Sequence, residues 1–178
     1  MDDAESLRVR DLHGEDLDRL TPGSPAARTR FLVEAGDMLA AREEGDVLVI
    51  GHRDEVWAAA AAGYDRRFDE ARIVTAREPR TDAALRRLLS DIEARTVRRH
   101  LPALVADVDV HDPAARRTFE LLGYVVTGAG VAFWSEVTIA GPSERAVDTW
   151  TVRKEVAAPP ARGMSFEGGL PDSDLVAD

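Results

Sequence analysis

Apolar side chains recur along this chain in two periods, and the switches between them mark its elements. Leu85, Leu88, Leu89 and Ile92 fall at i, i+3, i+4 and i+7, the stripe of an amphipathic helix, and Thr81-Asp82 offer two side chains able to cap its first turn. An apolar pair, Ile73-Val74, precedes it as a strand that ends by Pro79-Arg80. Beyond Pro102, Ala103 to Val110 is β-branched and free of Gly and Pro, which predicts a strand. Asp112 then caps a second helix with Pro113 in its first turn; Ala115, Thr118, Phe119 and Leu122 share one face until Gly123 ends it. Two strands joined through a helix predict a parallel or near-parallel crossover.

The same reading extends to both sides. Leu7 to Arg10 alternates as a first strand, and Gly14 to Leu17 opens a short helix that Pro22-Gly23-Ser24-Pro25 breaks. Phe31, Ala35, Met38 and Leu39 set a second helix over residues 26–42, with Gly45-Asp46 as its stop. Val47 to Ile50 is a compact strand, His52-Arg53-Asp54 turns the chain, and Val56 to Ala62 returns as its partner. Five alanines favour helix by intrinsic propensity; the early stop at Gly63 and the need of the preceding strand for a partner favour strand. Tyr124 to Thr127 and Val131 to Ile139 form a strand bent at Gly128-Ala129-Gly130, Gly141-Pro142-Ser143 turns, and Thr149 to Val156 alternates as the last strand. Trp57 and Tyr124 read as core aromatics. Residues 1–156 are expected to form one domain and residues 157–178, with Pro159-Pro160, three glycines and scattered acids, a mobile tail.

Composition narrows the function classes. With 178 residues, 44% of them hydrophobic, the chain can bury one good core. It has no cysteine, hence no disulfide, thiolate metal site or Cys nucleophile. The acidic, polar start at Met1 to Ser6 and the lack of a long apolar run predict a cytoplasmic protein without membrane association. The 33 acidic against 23 basic residues leave a net charge of -10, which argues against nucleic acid as a partner. One stretch runs the other way: Arg77, Arg80, Arg86, Arg87, Arg95, Arg98 and Arg99 outnumber Glu78, Asp82, Asp91 and Glu93, a local excess that suits a polyanion or a solvated helix face. His13, His52, His100 and His111 show no metal-ligand spacing, and no metal site is expected.

The segment Asp112-Pro113-Ala114-Ala115-Arg116-Arg117-Thr118-Phe119-Glu120-Leu121-Leu122-Gly123-Tyr124 is similar to the N-P-x-A-x-x-x-Y-E-x-x-G-F stretch of the GNAT acyltransferase superfamily. Arg80-Thr81-Asp82-Ala83-Ala84-Leu85 lies where that family carries [QR]-x-x-G-x-[GA], and Leu7 to Arg10 with Glu15-Asp16 resembles its first strand and helix. The resemblance covers residues 6 to 156. It implies an α/β fold with a GNAT-like mixed, mostly antiparallel sheet of six to seven strands and about four helices on its two faces. It also implies transfer of an acetyl or other acyl group from acetyl-CoA or another acyl-CoA to an amine of a small molecule or peptide. The cofactor-binding residues implied are Ile73, Thr75, Arg80, Thr81, Asp82, Ala83, Ala84, Leu85, Asp112 and Phe119, and the catalytic candidates are Asp109 and His111. Departures from the pattern are Ala83 and Leu85 for small motif residues, Asp82 at the helix start, Asp112 for Asn, and Phe119 for a Tyr able to protonate a thiolate. These departures motivate the alternative of a GNAT-like binding or regulatory domain without transfer chemistry.

Overall fold

A computed structural model describes residues 7–14, 16–19, 25–41, 44–52, 55–76, 81–138 and 141–156. The breaker at Pro22-Gly23-Ser24, the turn at Arg53-Asp54, Ile139, the Arg77 to Arg80 segment and the tail 157–178 lie outside them. In chain order the elements are β1 (Arg8–Asp11), α1 (Asp16–Arg19), α2 (Pro25–Ala40), β2 (Glu44–His52), β3 (Glu55–Asp65), β4 (Glu70–Thr75), α3 (Asp82–Arg98), β5 (Ala103–Asp109), α4 (Pro113–Leu121), β6 (Val125–Thr138) and β7 (Gly141–Glu155). One seven-stranded sheet runs β1-β2-β3-β4-β5-β7-β6. Every pair is antiparallel except β4 with β5, which is parallel, as the crossover through α3 requires. Of the helices, α1 is a single turn.

The five alanines of β3 resolve as strand. Ala58 to Ala62 are fully buried, with Ala58, Ala60 and Ala62 facing the α3 side and Ala59 and Ala61 facing α2. Helix propensity is worth tenths of a kcal/mol per residue, whereas a central strand gains a ladder on both edges and cover on both faces. Small side chains let both helix layers approach the sheet closely. Across the β2–β3 hairpin a bulge falls between Ile50 and Gly51, and a Cβ on Gly51 would sit 1.8 Å from the Glu55 carbonyl oxygen, so only glycine fits there.

The two faces carry separate cores. Leu85, Leu88, Leu89 and Ile92 of α3 and Phe119 of α4 pack on Leu48, Ile50, Ile73, Leu104, Ala106 and Val152. On the other face, Phe31, Ala35 and Met38 of α2 meet Val49, Ala59 and Ala61. Tyr124 is buried beside Phe119, the rings edge to face at 5.0 Å, while Trp57 is half-buried against the same core. The C-terminal end of α3 is fastened by charge: Arg95 reaches Asp11, Asp46 and Asp91, and Arg99 reaches Asp46 and lies 4.0 Å over the Tyr64 ring. Tyr64 donates to Asp46 at 2.6 Å, and burial together with that bond raises its phenol pKa.

Two sequence expectations are corrected. Gly141 to Ser143 belong to β7, since Thr138 already pairs with Gly141 and Val137 with Pro142. Proline is tolerated there because β5 stops at the pair Asp109–Thr149, leaving the first half of β7 without a neighbour on that side. The bend at Gly128-Ala129-Gly130 is a register shift just before it, between Val126 and Gly128, within one continuous strand.

Candidate functional site

The parallel ladder of β4 and β5 runs only from Glu70–Ala103 to Ile73–Ala106, although β4 continues to Thr75 and β5 to Asp109. Past that point β5 follows β7 and the two parallel strands diverge. The gap opens a cleft of about 630 Å³ through the middle of the sheet. Its walls are Ile73 to Ala76 of β4 and the residue after it, Ala106 to Asp109 of β5, the start of α3 at Asp82 and Leu85, and Asp112 with Ala115, Thr118 and Phe119 of α4. Glu34, Asp37 and Met38 of α2 and Ala132, Phe133 and Trp134 of β6 complete the lining.

Helix starts frame this cleft, and each is capped by the residue before it. Thr81 is the cap of α3, its Oγ1 accepting from the Ala84 amide at 3.0 Å. Asp82, expected to share that role, is instead the first helical residue and its side chain is exposed. The amides of Asp82 and Ala83 precede any carbonyl of the helix that could accept from them, so the α3 terminus presents donors backed by the helix dipole. Asp112 caps α4 through the Ala115 amide at 2.9 Å.

Charge in the cleft is lopsided. Glu34, Asp37, Asp82, Asp107, Asp109 and Asp112 all line it, and Arg72 is the sole cation among its described lining residues. Arg72 is engaged by Asp107 at 3.0 Å, and Thr151 donates to the other oxygen of Asp107 at 3.0 Å. Asp109 accepts the amide of His111 at 2.9 Å.

Of the residues read from sequence, Ile73, Thr75, Asp82, Leu85, Asp109, Asp112 and Phe119 come together around the cleft. Thr81, Ala83, Ala84 and His111 are not in its lining; Ala84 is buried, and His111 is exposed and touches the site only through its amide. Arg80 lies outside the described residues. Arg95 and Arg99 of the arginine-rich stretch are committed to ion pairs at the far end of α3, roughly 20 Å along the axis from its start at 1.5 Å per residue. Sequence reading missed the α2 and β6 walls. Glu34 and Asp37 flank the apolar stripe of α2 one helical turn apart, and that acidic border beside Met38 was the available signal.

The mixed α/β fold of this chain is shared by solved structures. No family model and no curated protein sequence matches the chain. An acetyltransferase of Staphylococcus epidermidis superposes with a TM-score of 0.65 at 11% identity, covering 85% of this chain and 99% of that one. A GCN5-related N-acetyltransferase of Kribbella flavida gives 0.60 at 17%, over 85% and 99%. The acetyltransferase YncA of Salmonella typhimurium, solved with its cofactor acetyl-CoA, gives 0.56 at 19%, over 89% and 99%. The fold of this chain is the GNAT fold. Among the described residues no helix is long and apolar enough to cross a membrane, and no cluster of three or more His, Cys, Asp or Glu could hold a metal ion.

Proposed function

We propose that this chain transfers an acyl group, acetyl first among them, from an acyl-CoA to a cationic amine. The observation that carries the reading is the cleft between the diverging ends of β4 and β5, beside the first-turn amides of α3, in a fold that acetyltransferases share. A thioester bound there supplies an electrophilic carbonyl carbon: an amine nitrogen bonds to it, the carbon–sulfur bond breaks, the thiolate leaves, and the nitrogen gives up its extra proton to solvent. The α3 amides suit a pyrophosphate. Edge groups of Val74 and Thr75, and of Asp107 and Val108, lie past the last β4–β5 pair and suit the amides of an extended pantetheine arm. Ile73, Leu85, Val108 and Phe119 give that arm apolar walls.

The acceptor side supports a cation. Glu34, Asp37 and Asp109 carry negative charge into a space where Arg72 is already neutralised by Asp107. An ammonium drawn there must lose a proton before it can attack, and Asp109, at the end of β5, is the group we assign to receive it. Phe119 offers no proton to the departing thiolate, but a thiol is a far stronger acid than water, a cysteine thiol ionising near pH 8.5 against about 15.7 for water, so a thiolate leaves without obligatory protonation.

A second reading, a domain that binds acyl-CoA without transferring from it, is favoured by Phe119 and by the carboxylate of Asp82 at the helix start. Calorimetry with acetyl-CoA and free CoA, followed by thiol release on adding diamines, neutral amines and amino acids, tests both. Binding with thiol release that depends on a cationic amine is the expected result. Binding without release selects the second reading, and no binding at millimolar acetyl-CoA removes both.

A further inference from the structure

The last strand of the sheet is β6, so among the described residues its outer row of N–H and C=O groups has no strand partner. Natural edge strands are blunted by lysines, prolines or short length. β6 has none of these over its first eleven residues: Val125 to Ser135 contains no charge and no proline, in a chain of net charge -10. Alternation places Val131 and Phe133 on the α4 face, where they are 56% and 68% exposed, with Val126 exposed on the same face ahead of the bulge. An open, uncharged edge with apolar side chains is a template for another strand.

The sequence of β6 is complementary to itself when reversed. We propose that β6 is a homodimer interface, on which a second copy of this chain adds its own β6 antiparallel about a two-fold axis through Val131. In that register Phe133 stands opposite Ala129, Ala132 opposite Gly130 and Trp134 opposite Gly128, each bulkier residue against a smaller one, and the two Val131 side chains meet at the axis. From Gly128 to Trp134 every pair so formed lies on a common face, as a continued sheet demands, and the bulge between Val126 and Gly128 ends the pairing. The flat Gly-Ala-Gly run that bends the strand thereby becomes the surface its own aromatic end covers. The stretch Gly128 to Trp134, which pairs in register on both sides of the axis, spans about 24 Å at about 3.4 Å per residue, and a sheet edge about 10 Å thick then covers about 240 Å² on each copy. The total of about 480 Å² is that of a weak, transient contact, so the dimer is reversible and forms toward millimolar concentration. Repulsion between two acidic chains acts from outside this uncharged strip, so added salt strengthens the dimer.

Sedimentation equilibrium of the full chain from micromolar to millimolar concentration tests this. The expected result is a mass rising from one chain to two, with the transition moved to lower concentration by salt. Val131→Lys, which sets two ammonium groups face to face, weakens association by at least about tenfold, while Phe68→Lys, at an exposed apolar residue in the β3–β4 turn, leaves it unchanged. Because the chain has no cysteine, Val131→Cys provides a second readout independent of the lysine variant's folding. Residues directly opposite across antiparallel strands have Cα atoms about 4.5 to 5.5 Å apart, within disulfide range, so mild oxidation yields a covalent dimer, whereas Phe68→Cys yields none. A monomer at every concentration, as a foreign partner or another segment of this chain on the edge would give, overturns the proposal. So does a dimer indifferent to both Val131 variants.

Discussion

Asp82 and Thr81 are neighbours at one helix start, yet they should act on different quantities. Thr81 holds the Ala84 amide, so Thr81→Ala removes a cap and should cost about 1 kcal/mol of stability. Asp82 makes no contribution to that cap, and its exposed carboxylate stands at the rim of the cleft, beside the amides proposed to take a pyrophosphate. Taking about 7 Å between carboxylate and phosphate in a water-like dielectric, a pair of unit charges repels by about 0.6 kcal/mol, and two phosphate charges double it. Screening at physiological salt roughly halves the sum. Asp82→Asn should therefore tighten acetyl-CoA binding by roughly two- to sevenfold, more at low salt than at high. It should also lower the melting temperature slightly, because the helix dipole loses a favourable charge at its positive end. Calorimetric titration at two salt concentrations, with thermal melts alongside, measures both. Affinity that falls in Asp82→Asn, or rises without salt dependence, refutes the charge argument; an affinity loss in Thr81→Ala larger than its stability loss would place the threonine in the site.

Other perturbations separate site from scaffold. Asp109→Asn should lower the transfer rate about a hundredfold or more while leaving the dissociation constant for acetyl-CoA unchanged, read by thiol release and calorimetry. Leu85 is buried in the core and also borders the cleft, so Leu85→Ala should cost about 2 to 5 kcal/mol in denaturant unfolding. Ala60→Leu, pressing into the tight α3 side of β3, should cost about 1 to 3 kcal/mol by overpacking. The buried carboxyl of Asp16 is held below its ordinary 3.8 by hydrogen bonds from Arg10, against the upward push of burial and with help from the His13 amide. A carboxyl with a lowered folded pKa stabilises fully above its unfolded value of about 3.9 and loses that contribution as pH falls through the folded value. Stability should thus drop below about pH 4, and Asp16→Asn should flatten this acid limb in unfolding measured across pH.

Much of the fold was legible because its signals are local. The stripe of α3, the Asp112-Pro113 start of α4 and the β-branched run of β5 each name their element without help from the rest of the chain. Where the reading fell short, the deciding interaction was distant in sequence. Glu144 to Asp148 alternate poorly and were assigned to no element, yet they are strand because β6 pairs with them residue for residue. β3 had to be argued against its own propensity, and what settles it is burial on both faces under helices that are distant in sequence. The insertion of β7 between β5 and β6 has no local mark at all.

The site shows the same division, with a consequence for its chemistry. The donor wall could be read because one helix start and one strand end, adjacent in sequence, build it. The acceptor wall comes from α2 and β6, about a hundred residues apart, and only the sheet brings Glu34 and Asp37 across from Trp134. Sequence charge left the arginine stretch as either a polyanion site or a solvated helix face; Arg95 and Arg99 hold α3 to β2 at the end of the helix away from the cleft. The cleft itself is lined by carboxylates, from Glu34 and Asp37 of α2 to Asp82 at the start of α3. Under the proposed function, the acyl-CoA would be held at the α3 amides and the acceptor selected by its positive charge. That ordering predicts opposite salt responses at the two ends of one cleft: acceptor KM should rise steeply with ionic strength, while acyl-CoA affinity should change little or improve as repulsion from the acids is screened. Steady-state kinetics with each substrate varied in turn would show it, and a KM for the amine that ignores salt would remove the acidic wall from acceptor selection.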